Sequence, residues 1–554
     1  MKLGAQINYW LNWLDEHLLI LLAGFLLAFI PLYPKIPLFE AIPGYIVRVR
    51  LEDILILLTA LIWLVQVVRN KVAWKTPVLA VIVAYGVVGL LSSISAVVVT
   101  QTVPANLLHI GKTFLHYFRY LEYFSLFAIL YSAISQRSHI KVLAAILVGT
   151  VLTISVYGYG QRYFYWPVYS TMNREFSKGV RLYLTEHARV QSTFGGHYDL
   201  AAYLVVTLPF IFAFALATSK KWLKVVLQLV HWAGVWLLIV SGSRTSFVGY
   251  IVAVSLVIGL FALTKRPFKN MLLWGISRLA FVAVVTSFML VQFGEDMYER
   301  FLQVLEGYPQ AYEAFQDFDE QRIILVNDTI PGALGLKDLS LLRAEKPDGA
   351  LSMDEAALLE GNALVASDER PTTDKPSDVY VDVPDIVEVA TISASGEATT
   401  ILVDKGPRTY SECALTKGLS QCIRYETLWP RAMAGFNRNP LLGSGYATLT
   451  KEEVVQFTEA ESTDNNFLRT LGETGALGFV TFYGVIILAL WSIRNYLFSQ
   501  DFWARTLSIS LLTATVGLLI NAVYIDVFAA SKVALTYWAL VGLVLGYLNV
   551  IKPE

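Results

Sequence analysis

The sequence predicts an all-α polytopic membrane protein of about twelve transmembrane helices, with a large external loop domain between the ninth and tenth spans. Of its 554 residues, 55% are hydrophobic and only 16% are charged, whereas soluble domains carry about a quarter charged residues. Long apolar runs recur along the chain. Aromatic residues make up 13%, which suits the belts that anchor membrane proteins at both interfaces.

The apolar runs mark the predicted spans, because one helix needs about 20 apolar residues to cross the hydrocarbon layer. They lie near 17–33, 53–68, 77–99, 114–134, 139–159, 198–218, 223–241, 246–264, 272–293, 476–494, 504–526 and 532–550. The first run lacks the small-residue cleavage pattern of a signal peptide, so we expect it to be retained as a helix.

Basic residues in short loops predict the orientation. If the spans alternate, the basic loops at 69–75, 137–141, 220–224, 265–269 and 494–505 share one side. That side is then the cytoplasm, together with both termini. The 34–52 and 160–197 segments on the opposite side are also basic. Positive charge on the disfavoured side suggests an anionic ligand there.

Composition divides the chain into three parts. We expect a membrane domain over 1–293 (spans one to nine), an extracytoplasmic loop domain over 294–465 with a variable insertion near 327–410, and a membrane domain over 466–554 (spans ten to twelve). Inside the loop domain, the patterns predict helices at 296–315 and 354–360 and a loop at 367–377. The alternating segments 378–383 and 387–392, together with 399–403, predict a small β hairpin.

Cysteine content and charge exclude several classes. Cys413 and Cys422 are the two cysteines of the chain. In an oxidising space they can form a disulfide; two independent thiols are the alternative. A metal-thiolate site is not expected from two cysteines, and neither a metal nor a cofactor is predicted. A net charge of −1 gives no reason to expect nucleic-acid binding.

The first motif, residues 189–204, ends a basic loop and begins a span. A guanidinium such as Arg189 near a helix N-terminus favours phosphate. The alternative is an arginine that extends to lipid headgroups. His197 is expected to be structural, with a role as a second proton acceptor as the alternative.

The second motif is the hairpin 241–247 between the seventh and eighth spans. Its loop is so short that Arg244 must lie at membrane depth or at its edge, where a charge is costly and usually functional or paired. Gly242 permits the tight turn, and Ser243 or Thr245 can cap the next helix. An arginine that extends to headgroups is again the alternative.

The third motif joins 424–436 to a glycine-rich turn at 439–445. Its spacing indicates an amphipathic helix that carries Arg424, with the large apolar side chains toward lipid or the bundle; these are Leu428, Trp429, Met433 and Phe436. On spacing alone, a plain interfacial helix is the favoured interpretation.

The fourth motif, residues 463–478, leads from the polar region into the tenth span. Asp464 can be a carboxylate base at the membrane surface, or it can cap the following helix, as can Asn465. Sequence chemistry leaves these two alternatives open. Glu473 is expected to be structural.

Together the four motifs resemble the O-antigen ligase/O-antigen polymerase family of bacterial glycan-transferring membrane proteins. Family ligases have a His-Asn pair, nine residues and Gly-x-x-Gly; this chain has Asp464-Asn465, nine residues and Gly475-Ala476-Leu477-Gly478. The Arg-x-x-x-Leu motif, the PLLGxG turn, the GSR hairpin and the R…TF…LA segment are matched at 424–428, 440–445, 241–245 and 189–204. The resemblance covers roughly 185–490 and does not extend to the 327–410 insertion.

The resemblance implies an inverting, metal-independent glycosyltransferase in the lipid environment of the bacterial cytoplasmic membrane. The donor would be a glycan on undecaprenyl or another polyprenyl diphosphate, and the acceptor a glycan or lipid hydroxyl. Arg189, Arg244 and Arg424 would bind the diphosphate, while Asp464, accompanied by Asn465, would deprotonate the acceptor. Asp464 stands where the ligases have histidine, which favours a polymerase or related transferase over a ligase.

Two other classes stay open from the sequence. A transporter or flippase for polysaccharide or lipid-linked glycan would also be polytopic with intramembrane arginines, although no inverted repeat is visible and the charged candidates share one face. A non-catalytic envelope protein that binds glycan is the third alternative. The sugar, the acceptor and a chain-length regulator as partner are left open.

Overall fold

The computed structural model describes residues 2–42, 45, 47–172, 176–185, 188–294, 297–298, 351–352, 386–392, 398–404, 409–449 and 462–552. Eleven helices in this part of the chain are long and apolar enough to cross a membrane. The prediction of a mostly helical, multi-pass membrane protein is therefore confirmed.

The helices before the external region form most of the bundle. They are α1 (Lys2–Leu32), α2 (Leu51–Val68), α3 (Pro77–Val98), α4 (Leu107–Ala133), α5 (His139–Phe164), α6 (His197–Ala217), α7 (Lys221–Val240), α8 (Arg244–Ala262) and α9 (Phe268–Phe293). Helix α6 is the most enclosed of the candidate spans and α9 the least. The first motif, residues 189–204, therefore leads into the most enclosed helix of the bundle.

The second half of the chain adds three short helices and three long ones. They are α10 (Glu412–Lys417), α11 (Leu419–Ile423), α12 (Trp429–Arg438), α13 (Asn466–Ile493), α14 (Phe502–Asn521) and α15 (Ser531–Ile551), with a π-helical turn (Arg424–Leu428) between α11 and α12. Helix α14 packs against α6 and α8, and α15 packs against α4. The C-terminal helices therefore complete the core of the N-terminal bundle.

Helix α4 corresponds to the predicted span near 114–134, but it is too polar to count among the eleven apolar helices. Its first half carries Lys112, His116 and Arg119. Lys112 is buried, and α4 packs against α2, α3 and α15. These polar side chains point into the bundle, so α4 can belong to it although the helix is less apolar than its neighbours.

The glycine-rich turn at 439–445 is tied to a break in α13. Gly475, inside α13, has φ +65°, and Gly443 in the turn has φ +70°. A Cβ atom on Gly443 would lie 2.5 Å from the carbonyl carbon of Glu473. At this close approach, the amides of Ser444 and Gly445 donate to the carbonyls of Gly472 and Glu473 at 2.9 Å each. The amides of the turn thereby supply donors to two helix carbonyls that the break at Gly475 leaves without their usual partners.

Gly443→Ala is expected to lower the free energy of unfolding by about 2–3 kcal/mol, since it adds left-handed strain to overpacking. Gly149→Ala is the matched control, because a Cβ atom there meets no atom within 4 Å and alanine favours a helix. Thermal unfolding in detergent measures both. Equal stability of the two variants would contradict the assigned role of the turn.

Helix α12 buries small residues rather than large ones. Ala432 and Gly435 are its buried positions, while Met433 is exposed. A Cβ atom on Gly472 of α13 would lie 2.6 Å from the carbonyl oxygen of Ala432. These small residues allow α12 to approach α13 closely. Of the large apolar side chains expected toward lipid or the bundle, Leu428, Trp429 and Phe436 are half-buried and Met433 is exposed.

Short strands complete the described structure. Strand β1 (Pro37–Phe39) pairs antiparallel with β2 (Val49–Arg50), and β3 (Leu182–Tyr183) pairs parallel with β4 (Leu351–Ser352). Strands β5 (Ile386–Ile392) and β6 (Ala398–Asp404) pair antiparallel, as the predicted hairpin requires. The predicted features at 296–315, 354–360, 367–377 and 378–383 lie essentially outside the described residues.

Candidate functional site

A cleft of about 190 Å³ brings residues from three of the four sequence motifs together. It is lined by Tyr198, Gly242, Ser243, Arg244, Thr245, Ser420, Gln421, Arg424, Tyr524 and Ile525. We call it the Arg424 cleft. Its walls come from the starts of α6 and α8, the end of α11 with the π-helical turn, and the connection between α14 and α15.

The hairpin between α7 and α8 presents Arg244 at the cleft. Gly242 has φ +66°, the left-handed conformation that the tight turn needs. Ser243 occupies the N-cap position, but its hydroxyl donates to Ser246 at 2.8 Å instead of capping the helix. Arg244 is the first residue of α8 and is exposed. Its guanidinium therefore lies where the helix dipole is positive, which favours an anion nearby.

Arg189 lies beside the same hairpin. Its Nη1 donates to Nε2 of His197 at 2.8 Å and lies 3.5 Å from the Tyr198 hydroxyl. A Cβ atom on Gly242 would lie 3.1 Å from Cδ of Arg189. Arg189 thus contacts two residues of the cleft without lining it. His197 orients Arg189, and its Nε2 is not available as a proton acceptor while this bond persists.

Arg424 is held in place from three directions. Its Nη2 lies 2.9 Å from Oδ2 of Asp464. Its Nη1 donates to the backbone carbonyl and the hydroxyl of Ser420, at 2.6 and 3.1 Å. Its guanidinium carbon lies 5.8 Å from the centre of the Tyr524 ring. Because these contacts already fix the side chain at the cleft, little side-chain entropy would be lost when the guanidinium binds a ligand.

A disulfide precedes Arg424 in the chain. The sulfur atoms of Cys413 and Cys422 are bonded, and their Cα atoms are 5.9 Å apart. Cys422 is fully buried and lies two residues before Arg424. The crosslink joins α10 to α11 and limits the conformations of the segment that carries this arginine.

Asn465, not Asp464, caps α13. The Asn465 side chain accepts from the amide of Leu468 at 3.0 Å. Asp464 precedes the cap with φ +51°, a conformation that aspartate tolerates better than most residues. Its carboxylate accepts from the Ser462 hydroxyl at 2.7 Å and faces Arg424. The N-cap interpretation of Asp464 is therefore wrong. Its carboxylate is about one-third exposed and does not itself line the cleft, but it contacts Arg424, which does.

A buried acid that sequence reasoning missed holds this segment. Asp526 accepts from the amides of Thr463 and Asn465, at 2.8 and 3.1 Å, on either side of Asp464. It also accepts from Arg469 Nη1 at 2.9 Å and lies 3.1 Å from the Ser462 hydroxyl, which is closer to Asp464. Asp526 thus determines the position of Asp464. In the sequence, Asp526 is marked only as an acidic residue at the end of the eleventh predicted span, just before the twelfth.

Glu473 belongs to the same buried network. It lies 3.4 Å from Nε of Arg469, one helical turn away, and accepts from the amide of Ala447 at 3.0 Å. Both contacts are internal and buried. Glu473 is therefore structural, and it ties α13 to the glycine-rich turn.

The electrostatics of the cleft favour an anion that accepts hydrogen bonds. Arg244 and Arg424 line it, Arg189 adjoins it, and Asp464 is the carboxylate that contacts Arg424. The hydrogen bond with Tyr425, together with partial burial, raises the pKa of Tyr524. A phenol is protonated at neutral pH, so Tyr524 has one proton to donate, either to Tyr425 or to a ligand in the cleft.

A comparison of the sequence with protein-family models and with curated proteins finds no match. Fold alone does not imply function in helical membrane proteins. What this cleft does must therefore be inferred from its side chains: three guanidiniums, a carboxylate within reach of one of them, and a phenol.

Proposed function

We propose that this protein is a membrane glycosyltransferase that moves a glycan from a polyprenyl diphosphate to a sugar hydroxyl. The observation that carries the proposal is the Arg424–Asp464 pair at a cleft that Arg244 also lines. A cationic group for a leaving diphosphate and a carboxylate for an attacking hydroxyl are the two parts that such a transfer needs. The resemblance to the O-antigen ligase/polymerase family points to the same chemistry.

Three arginines would hold the donor. Guanidinium groups bind phosphate oxygens through paired hydrogen bonds. Arg244 and Arg424 would contact the diphosphate directly, and Arg189 would reach it by a small rotation away from His197. The Tyr524 hydroxyl would add one neutral donor. Because the diphosphate leaves as an anion, these groups stabilise it without transferring a proton to it.

The transfer step needs one base. The acceptor hydroxyl oxygen forms a bond to C1 of the donor sugar, and the bond from C1 to the phosphate oxygen breaks. The electron pair of the broken bond leaves with the diphosphate, and the hydroxyl proton passes to Asp464. Attack from the face opposite the diphosphate inverts C1.

The ion pair would couple donor binding to activation of the base. Without donor, Arg424 neutralises Asp464 at 2.9 Å. A diphosphate competes for the same guanidinium because it carries more charge and more acceptor oxygens. When Arg424 turns toward it, Asp464 loses its counter-ion, and the carboxylate oxygen that faced Arg424 can accept a hydrogen bond from the acceptor hydroxyl. The base would thus be active only when the donor is bound.

The proposed location follows from the charge of the loops. Basic short loops lie on the cytoplasmic side, which would put both termini in the cytoplasm and the Arg424 cleft on the outer face of a bacterial cytoplasmic membrane. Asp464 in place of the ligase histidine favours a polymerase, for which a chain-length regulator would be a partner. Transfer to a lipid would identify a ligase.

Arg424→Gln and Arg244→Gln are each expected to lower transfer about 10- to 100-fold, the effect of losing a charged hydrogen bond to the diphosphate. The assay is reconstitution of the full chain with a polyprenyl-diphosphate glycan and analysis of the products by mass. Chain extension identifies a polymerase.

The matched control is Arg494→Gln. Arg494 follows the C-terminal end of α13, whereas Asp464 precedes its start, and the 28-residue helix separates them by roughly 40 Å. In cells, the two cleft variants should lose polymer and keep the lipid-linked precursor outside. Precursor that accumulates inside would instead identify a flippase and refute the proposal.

A further inference from the structure

A second cleft, of about 230 Å³, is lined in part by two elements that also line the first. Tyr198 of α6 lines the Arg424 cleft and Asp199 lines the second. The connection between α14 and α15 likewise contributes Tyr524 to one and Ala529 to the other. The two clefts are therefore neighbours at the first turn of α6. We call the second one the Arg50 cleft.

Basic side chains dominate the lining of the Arg50 cleft. Lys35, Arg50, Arg119 and Arg469 line it, against the single carboxylate of Asp199 among its lining residues. Three phenols, those of Tyr45, Tyr120 and Tyr123, also line it. Cations with phenolic and other hydroxyl donors are the groups that bind phosphate oxygens. Lys35 and Arg50 come from the 34–52 segment, whose positive charge on the disfavoured side already suggested an anionic ligand.

Three of these four cations have acidic partners. Nζ of Lys35 lies 3.0 Å from Glu52, and Nη1 of Arg469 lies 2.9 Å from Asp526. Arg119 lies 3.7 Å from Asp53, a longer contact that leaves its Nε without a hydrogen-bond partner in the described structure. These ion pairs compensate the charges of Lys35, Arg469 and Arg119. Of the four basic residues that line the cleft, Arg50 is the one left to consider.

Arg50 is buried without an ion pair of this kind among the described residues, although the charges of Glu52 and Asp53 act on it from a greater distance. It is only 7% exposed. Its Nε has no hydrogen-bond partner among the described residues, and no ion pair of its guanidinium at 4 Å or less occurs there. A buried cation without a paired acid is costly, and proteins normally supply its counter-ion. Burial also lowers the pKa values of Lys35 and Arg50, a penalty that an anion in the cleft would offset.

We propose that the Arg50 cleft binds the diphosphate of a second polyprenyl-linked glycan, the acceptor. This inference rests on the proposed transferase function. A polymerase must hold two lipid-linked glycans at once, each with a diphosphate at the membrane surface. Two neighbouring cationic clefts at the first turn of α6 provide one site for each. An anionic phospholipid headgroup carries the same phosphate chemistry and is the rival source.

Inorganic pyrophosphate tests the site without requiring transfer. The full chain in phosphatidylcholine nanodiscs should bind two pyrophosphates by titration calorimetry. Arg50→Gln should weaken one site at least 10-fold and Arg424→Gln the other, while Arg494→Gln should leave both. Arg50→Lys keeps the charge but not the paired donors. Its affinity for pyrophosphate at this site should lie between those of Arg50→Gln and the natural protein.

Several results would overturn the assignment. One pyrophosphate per chain in the natural protein would do so, even if Arg50→Gln failed to fold. Retention of both sites in Arg50→Gln, shown to be folded by its thermal unfolding, would do so as well. Loss of the Arg50 site in nanodiscs that contain phosphatidylglycerol would assign the cleft to a lipid headgroup instead.

Transfer assays separate this inference from the proposed function. Arg50→Gln should raise the KM for the lipid-linked acceptor about 10-fold and leave kcat and the KM for the donor nearly unchanged. If the natural protein transfers glycan and this variant keeps the natural acceptor KM, only the second site is refuted. If the natural protein transfers no glycan, the proposed function itself fails.

Discussion

Asp464→Asn is expected to lower the rate of glycan transfer about 10²- to 10⁴-fold, the usual contribution of a general base. The amide has nearly the shape of the carboxylate, but it cannot accept the hydroxyl proton. Asn465 caps α13 and Asp526 holds the flanking amides, so the backbone at this position should stay in place. The loss should therefore appear in kcat, with donor affinity maintained or improved because Arg424 is freed.

The control for this prediction is Asp464→His. Imidazole is a base near neutral pH, and histidine occupies this position in the ligases that the chain resembles. We expect Asp464→His to retain at least 10-fold more activity than Asp464→Asn, in the reconstituted assay with product mass as the readout. Full activity of Asp464→Asn would show that Asp464 only positions Arg424.

Asp526→Ala is expected to lower the free energy of unfolding by about 3–5 kcal/mol, the usual cost of removing one partner from a buried ion pair. The substitution leaves Arg469 with Glu473 as its remaining acidic partner among the described residues. It also leaves the buried amides of Thr463 and Asn465 without their acceptor. Transfer should fall too, because the position of Asp464 depends on those two bonds.

Asp501→Ala is the control for Asp526→Ala. Asp501 caps α14 by accepting from the amide of Ala504 at 2.7 Å, and loss of a cap costs about 1 kcal/mol. Thermal unfolding in detergent compares the two variants, and glycan transfer is measured below both transitions. Similar stability of both variants would contradict the assigned role of Asp526, as would normal transfer by Asp526→Ala.

Some parts of the site could be predicted from local patterns. Arg244 lies between two apolar runs that leave almost no loop, so the hairpin had to present it at the end of the bundle. Asp464 was selected by its spacing from the Gly475-x-x-Gly478 motif, and Arg424 by the Arg-x-x-x-Leu motif that it begins. The alternation in β5 and β6 likewise predicts their pairing, because a strand places successive side chains on opposite faces.

Other parts could not be predicted because they depend on contacts between distant segments. Asp526 lies 62 residues after Asp464, and no local pattern indicates that its carboxylate accepts the amides on both sides. The apolar part of α4 predicts a span near 114–134, but no local pattern shows that His116 and Arg119 of its first half line a cleft. In the sequence Arg50 is marked only by its charge. That its Nε finds no hydrogen-bond partner among the described residues is a property of the surrounding packing.

The sequence by itself determined the membrane-spanning class, since a long apolar run has no favourable place outside a bilayer or a protein core. It also determined which arginines and which acid to consider. Only the tertiary structure excluded one of the two interpretations of Asp464, the N-cap. An N-cap needs one side-chain acceptor, and both Asp464 and Asn465 have one. The backbone at 462–465, held by Asp526, turns Asn465 toward the helix and Asp464 toward Arg424.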